Sequence, residues 1–108
     1  GNLRFVVTYQ ALEALADPTR RAIFESLRDG PRSVVEITGC VPISRPAVSQ
    51  HLKVLKTAHL VSVRPVGTRR YYAVDPAGLA ELRSYFEQFW SAALQAYATS
   101  FTDPIEEK

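Results

Sequence analysis

The chain has 108 residues, enough for one hydrophobic core but too few for two independent ones. Apolar residues make up 46% of it and charged residues 22%, which excludes a largely disordered chain, and no apolar run approaches the roughly 20 residues that cross a bilayer. The N-terminus lacks the pattern of a secretion signal and the single cysteine excludes an intramolecular disulfide, so we expect a cytoplasmic protein without membrane contact.

The N-terminal residues predict two helices separated by a short break. The first would span about residues 6–16, where apolar residues recur in steps of three at Val6, Tyr9, Leu12 and Leu15. Asp17 can cap the second helix, and Pro18 is tolerated in its first turn. Gly30 and Pro31 would stop this helix, whose buried face we assign to Ile23, Phe24 and Leu27.

Two further helices are predicted in the middle of the chain. Ser33 and Glu36 have the spacing of a capping box, which opens a short third helix. Ser44 is the natural N-cap of a fourth helix over residues 44–58. The core face of that helix would consist of Val48, Leu52 and Leu55.

The rest of the chain predicts a β-hairpin followed by a long helix. Residues 60–66 and 69–74 are rich in β-branched and aromatic side chains, and Gly67-Thr68 makes the turn between them. Asp75-Pro76 opens a last helix that reaches about Ser100. This order predicts a mainly α fold with a small β-hairpin: a winged helix-turn-helix of about five helices plus a two-stranded wing. We assign residues 3–101 to this one domain and residues 102–108 to a flexible tail.

Charge is distributed unevenly along the chain. No acidic residue lies between Glu36 and Asp75, and that stretch carries +6, which leaves −4 for the rest of a chain whose net charge is +2. Such an asymmetry is typical of a surface that faces a polyanion, although an ordinary solvated basic face would have the same composition.

In a winged helix-turn-helix the second helix of the pair enters the major groove, and the hairpin reaches the backbone or a minor groove. We therefore predict double-stranded DNA as a partner, contacted by Ser44, Arg45, Pro46, Ser49, Gln50, Lys53, Lys56, Thr68, Arg69 and Arg70. Alternation along a strand would point only one of the two hairpin arginines toward a given neighbour, and both could instead serve solubility.

The last helix has more apolar surface than one core can cover. Leu79, Leu82, Phe86, Phe89 and Ala93 mark one stripe, and Tyr85, Trp90, Leu94, Tyr97 and Phe101 extend it. We predict a homodimer in which this helix and the first helix form the interface, through Val6, Tyr9, Tyr85, Phe89, Trp90, Leu94 and Tyr97. The alternatives are a wide core face beneath the first helix and a ligand pocket lined by the aromatic residues.

Few side chains could carry chemistry. Cys40 is expected to fill a small apolar space at the end of the third helix. His51 and His59 lie eight residues apart on the fourth helix, roughly 12 Å by helical rise, too far to bind one metal ion together. No nucleophile with a base, paired carboxylates or phosphate-binding glycine loop is present, so we expect neither an enzyme nor a cofactor.

Three blocks resemble the ArsR-type bacterial repressors: ALADPTRR at residues 14–21, SRPAVSQHLKVL at 44–55 and GTRRYY at 67–72. The resemblance runs from about Leu12 to Trp90 and implies a dimeric regulator that binds an inverted-repeat operator and usually represses transcription. Members often sense a metal through a Cys-x-Cys pair on the third helix or through Asp, His and Glu ligands on the last helix. Residues 33–37 contain no cysteine and the last helix no histidine, so the chain resembles the metal-independent branch.

The resulting hypothesis is a homodimeric, sequence-specific DNA-binding regulator that acts as a repressor without a metal, its small-molecule effector left unassigned. Two alternatives stay open at this point. One is a protein-interaction module that uses the aromatic last helix. The other is a ligand or redox sensor built on the same scaffold.

Overall fold

The computed structural model describes the backbone of residues 2–102 and the side chains of residues 8–100. The elements in chain order are α1 (Asn2–Ala16), α2 (Pro18–Glu25), β1 (Arg32–Ser33), α3 (Val34–Thr38), α4 (Arg45–Thr57), β2 (Val61–Val66), β3 (Arg69–Val74) and α5 (Pro76–Thr102). The predicted fold class is confirmed: this part of the chain has five helices and a small antiparallel sheet. Within it, no helix combines the length and apolar character that a membrane span requires.

The wing has one strand more than the sequence predicts. β2 and β3 form the expected hairpin, with Val61 opposite Val74, and Gly67 makes the turn at φ 64°, a conformation that glycine adopts without steric cost. The two-residue strand β1 pairs with the other edge of β3, with Arg32 opposite Tyr72, so the sheet order is β1-β3-β2. A strand of two residues is too short to show the alternation by which strands are predicted.

The predicted helix caps are all present. The side chain of Asp17 accepts hydrogen bonds from the Thr19 and Arg20 amides at the start of α2. At α3 the capping box is complete, since the Glu36 amide donates to Ser33 Oγ and the Ser33 amide donates to Glu36 Oε1. The end of α2 differs from the prediction: the helix stops at Glu25 and continues as turns, earlier than the predicted stop at residues 30 and 31.

The core lies between the helix-turn-helix and the base of the wing. Val48, Leu52 and Leu55 of α4 are fully buried, as predicted, and they pack with Ile23, Leu27, Ile37 and Leu60. On α1 the residues nearest the core are Ala11 and Ala14, which are buried, while Leu12 and Leu15 are half-buried and Tyr9 is 60% exposed. α1 packs against both α2 and α5, and small residues allow that close approach.

Two predictions about reactive side chains are also wrong. Cys40 is exposed and its thiol donates to the Glu36 carbonyl at 3.4 Å, because the chain turns after α3 and places Val41 in the core instead. His59 is not on the same helix as His51: α4 ends at Thr57, and His59 has a φ of 63° in the corner that leads into β2.

Helix α5 is packed mainly at its N-terminal end. Leu82 is buried, whereas the other described members of the predicted core stripe are exposed, among them Leu79, Phe86 and Phe89. Tyr85 is half-buried and its ring meets Phe86 edge-on, with centroids 5.4 Å apart. The predicted positions Val6 and Phe101 lie outside the described side chains.

Candidate nucleic-acid interface

Helix α4 is fixed at its start by a cap and along its inner face by the core. The Ala47 amide donates to Ser44 Oγ at 3.3 Å, and Pro46 occupies the first turn. Since the inner face is fully buried, the opposite face of α4 must point to solvent. The orientation of its polar side chains is therefore set by the hydrophobic core.

All ten residues predicted to contact DNA are exposed. Five of them line a single cleft of about 500 Å³ between α4 and the wing, together with Ser33, Val34 and Val35: they are Arg45, Ser49, Thr68, Arg69 and Arg70. This α4–wing cleft contains both hairpin arginines, although strand alternation suggests that only one should face it. Alternation fixes the direction of the Cβ atom, whereas the end of a long side chain near a turn can reach further.

The other predicted residues of α4 occupy different positions. Gln50 and Lys53 line a second cleft, of about 490 Å³, which α4 forms with α1 and the start of α2. The division follows from the neighbouring elements, because the wing lines the first cleft and α1 with α2 lines the second. Pro46 and Lys56 line neither cleft, and Ser44 serves as the cap.

Residues at the base of the α4–wing cleft were not predicted from the sequence. Ser33, Val34 and Val35 belong to β1 and to the first turn of α3, and they reach the cleft because β1 pairs with β3 beside the wing. Val35 is 52% exposed. The capping-box pattern locates the start of α3 but does not indicate that this start faces the wing.

The electrostatics of this surface are dominated by unpaired cations. Within the described residues, neither Arg45, Arg69 nor Arg70 has a carboxylate within salt-bridge distance. Asp17 lies elsewhere, at the start of α2, where hydrogen bonds from the Arg20 and Thr19 amides hold its pKa below the ordinary value of 3.8 despite desolvation. The α4–wing cleft can therefore bind an anionic group without displacing an internal partner.

Arg20 is a structurally important residue that the sequence reasoning did not single out. Its guanidinium donates to the Ala14 carbonyl at 3.1 Å and lies 4.0 Å from the Asp17 carboxylate, so it ties the end of α1 to the start of α2. Arg21 donates in the same way to the Leu15 carbonyl at 2.8 Å. The block ALADPTRR, which contains both arginines, was the only signal.

A second exposed surface lies along α5. Phe89 is 64% exposed, Trp90 63%, Leu94 46% and Tyr97 60%, and Tyr9 of α1 is exposed as well. Four of the described members of the predicted dimer interface on α5 are thus open to solvent in a single protomer, and Tyr85 is half-buried.

The described residues contain no group of three or more His, Cys, Asp and Glu side chains that could hold a metal ion.

Comparison with known proteins identifies the family. The family model described as "Bacterial regulatory protein, arsR family" matches residues 17–63. The chain is 61% identical to the HTH-type transcriptional regulator Rv2034 of Mycobacterium tuberculosis over 89 residues, which cover 82% of this chain and 83% of the relative. It is 32% identical to the transcriptional repressor SdpR of Bacillus subtilis over 71% of this chain and 86% of that protein.

Solved structures agree with the sequence relatives. The homodimeric winged helix-turn-helix DNA-binding domain of Mb0332 from Mycobacterium bovis, determined by solution NMR, matches with a TM-score of 0.66 and 27% identity over 85% of each chain. Because these relatives are regulators, the prediction that the chain is not an enzyme is confirmed. The chain belongs to the ArsR family of bacterial regulatory proteins and is a transcriptional regulator with a winged helix-turn-helix fold.

Proposed function

We propose that the protein is a homodimeric, sequence-specific DNA-binding repressor that binds an inverted-repeat operator and needs no metal effector. The observation that carries this proposal is the α4–wing cleft, where Arg45 and Ser49 of α4 meet Arg69 and Arg70 of the wing with no carboxylate among the lining residues. A helix and a hairpin that present cations to one space fit a phosphate backbone running between a major groove and its neighbouring minor groove.

Helix α4 and the wing contribute differently to DNA binding. Gln50 and Ser49 are neutral side chains that form hydrogen bonds with base edges, so they contribute mainly to sequence preference. Arg69 and Arg70 contribute mainly to attraction for any DNA, through phosphate contacts and counterion release.

Dimerisation is supported by the exposed aromatic surface of α5. Leaving Phe89, Trp90 and Tyr97 in water forgoes the burial of large apolar side chains, which a second copy of the same surface would provide. The Mycobacterium bovis neighbour is homodimeric. An inverted-repeat operator requires the two α4 helices of such a dimer to lie in successive major grooves, roughly 34 Å apart.

Repression is proposed from a relative, and metal independence from the composition of the helices. The Bacillus subtilis relative is a transcriptional repressor. Metal independence is proposed because α3 contains no cysteine and α5 no histidine, the residue types that the metal-sensing members use there.

The experiment compares two variants on two kinds of DNA, a duplex of the gene's own promoter and a random duplex, at several salt concentrations. Gln50→Ala should weaken binding to the promoter operator by about 1–3 kcal/mol and barely change binding to random DNA. The double change Arg69→Ala and Arg70→Ala should weaken both and reduce the salt slope by about one for each phosphate that the variant no longer neutralises.

Two results would contradict this proposal. Equal weakening on both duplexes for Gln50→Ala, together with an effect of the arginine pair on operator choice alone, would reverse the roles of helix and wing. Absence of any salt-dependent duplex binding by the unaltered protein would reject the proposal in favour of a protein-interaction module.

A further inference from the structure

The second cleft, formed by α1, α2 and α4, has the size and lining of a small-molecule site. Its volume is about 490 Å³, within the range of roughly 300–1,000 Å³ typical of ligand pockets. Ala14 of α1 and Ala58 at the end of α4, both buried, line the cleft. Together with Val54 they provide an apolar floor.

All three helices also contribute polar residues to the lining. α1 contributes Gln10 and Glu13, α2 contributes Arg20, and α4 contributes Gln50, Lys53 and Thr57. Two cations and one carboxylate therefore line a cleft whose base is apolar.

Arg20 is incompletely paired in this position. Its Nε is buried and has no hydrogen-bond partner among the described residues, and its ion pair with Asp17 is long, at 4.0 Å. The Nε itself does not reach the cleft, but the Arg20 side chain lines it and is 18% exposed. A cation whose internal ion pair is this long can attract an oxygen anion at its side of the cleft.

The two cations and one carboxylate leave the lining with one net positive charge, which suits a small monoanion. A monocarboxylate can place its head group toward Arg20 and Lys53 and its body on Ala14 and Val54. The apolar lining favours anions that bury an apolar body there, so anions without one should bind more weakly.

We infer that this cleft is an effector site for a small organic carboxylate with an apolar body, and that occupancy weakens DNA binding. The inference rests on the proposed function, because Gln50 and Lys53 line the cleft and also belong to the predicted DNA-contacting set. A carboxylate that engages Lys53 withdraws its charge from DNA, and by linkage DNA weakens carboxylate binding by the same factor.

The test uses benzoate as the probe, at constant ionic strength, with the intact protein. Calorimetry should give saturable binding at one site per protomer, with NMR shifts at the Ala14, Val54 and Ala58 amides. Neutral benzamide, which keeps the ring without the charge, and acetate, which keeps the charge without the ring, should each bind roughly tenfold more weakly or worse. Saturating benzoate should lower affinity for the operator by about tenfold.

Three variants test the location. Val54→Phe fills the cleft and should abolish benzoate binding, whereas the control Leu79→Phe enlarges a side chain of similar exposure on α5, 41% against 40%, and should bind benzoate normally. Glu13→Gln removes the repelling carboxylate and should bind benzoate about threefold more tightly. Circular dichroism verifies that each variant is folded.

Absence of saturable benzoate binding, equal affinity for acetate, or unchanged binding in Val54→Phe would overturn the inference. Operator binding without benzoate is measured on the same preparation. If the protein binds DNA but not benzoate, only the effector site is rejected; if it binds benzoate but not DNA, the proposed function fails and the cleft stands as a ligand site alone.

Discussion

Gly78, in the first turn of α5, lies against the backbone of His59 at the corner between α4 and β2. A Cβ atom at residue 78 would lie 1.6 Å from the His59 carbonyl oxygen and 2.7 Å from its carbonyl carbon, and Cβ contacts under 3.0 Å are essentially never seen. Gly78→Ala therefore requires α5 and the corner to separate by about 1.4 Å at a site of close packing. The obstructing atoms belong to the backbone, so no side-chain rotation relieves the clash.

The expected cost follows from these distances. Overpacking costs typically about 1–3 kcal/mol, and a backbone obstruction belongs at the upper end of that range. Alanine recovers up to about 1 kcal/mol through its higher helix propensity. The net loss should be about 2 kcal/mol, equivalent to a fall in Tm of about 10 °C for a domain of this size.

Thermal and urea unfolding followed by circular dichroism measure this loss. The matched control is Gly39→Ala, where φ is −72° and the nearest atom to the added Cβ, the Glu36 carbonyl oxygen, is 3.4 Å away. That variant should equal the unaltered protein or gain up to about 1 kcal/mol, by restricting the unfolded chain. A Gly78→Ala protein as stable as the control would refute the close approach of α5 to His59.

Four other outcomes are expected. Trp90→Glu should weaken dimer association by at least about 2 kcal/mol and leave the protomer folded, because Trp90 is 63% exposed in one protomer. If sedimentation of the variant still gives only dimer at low concentration, the interface lies elsewhere. Leu52→Ala should cost about 2–5 kcal/mol in urea unfolding, against less than about 1 kcal/mol for the half-exposed Val54→Ala. Because the pKa of Asp17 is lowered, its carboxylate stabilises the fold at pH values above the ordinary pKa of 3.8, and this contribution disappears as pH falls through the lowered pKa. Asp17→Asn keeps a capping oxygen but does not titrate. Its free energy of unfolding should therefore fall less steeply than that of the unaltered protein as the pH is lowered. Dialysis against a chelator should leave operator affinity unchanged, and stoichiometric metal in the purified protein with altered affinity after its removal would contradict metal independence.

Much of the fold could be predicted because its signals are local. The Ser33 and Glu36 capping box, the Asp17 and Ser44 caps and the turn at Gly67 each depend on residues within a few positions of one another. The buried face of α4 follows from helical periodicity, and fixing that face also fixes which polar side chains are exposed. The exposure of the six predicted DNA-contacting residues on α4 is a consequence of this periodicity.

What the sequence could not determine depends on which elements meet. Cys40 and Val41 are neighbours in the chain, and only the turn after α3 decides that Val41 enters the core. The exposed faces of α4 divide between two clefts because the wing packs on one side and α1 with α2 on the other. The close approach of Gly78 to His59 joins residues far apart in sequence. Local sequence specifies caps, turns and periodic faces, because those interactions are complete within one element; tertiary packing decides which faces are covered, because that depends on the shapes of all the elements together.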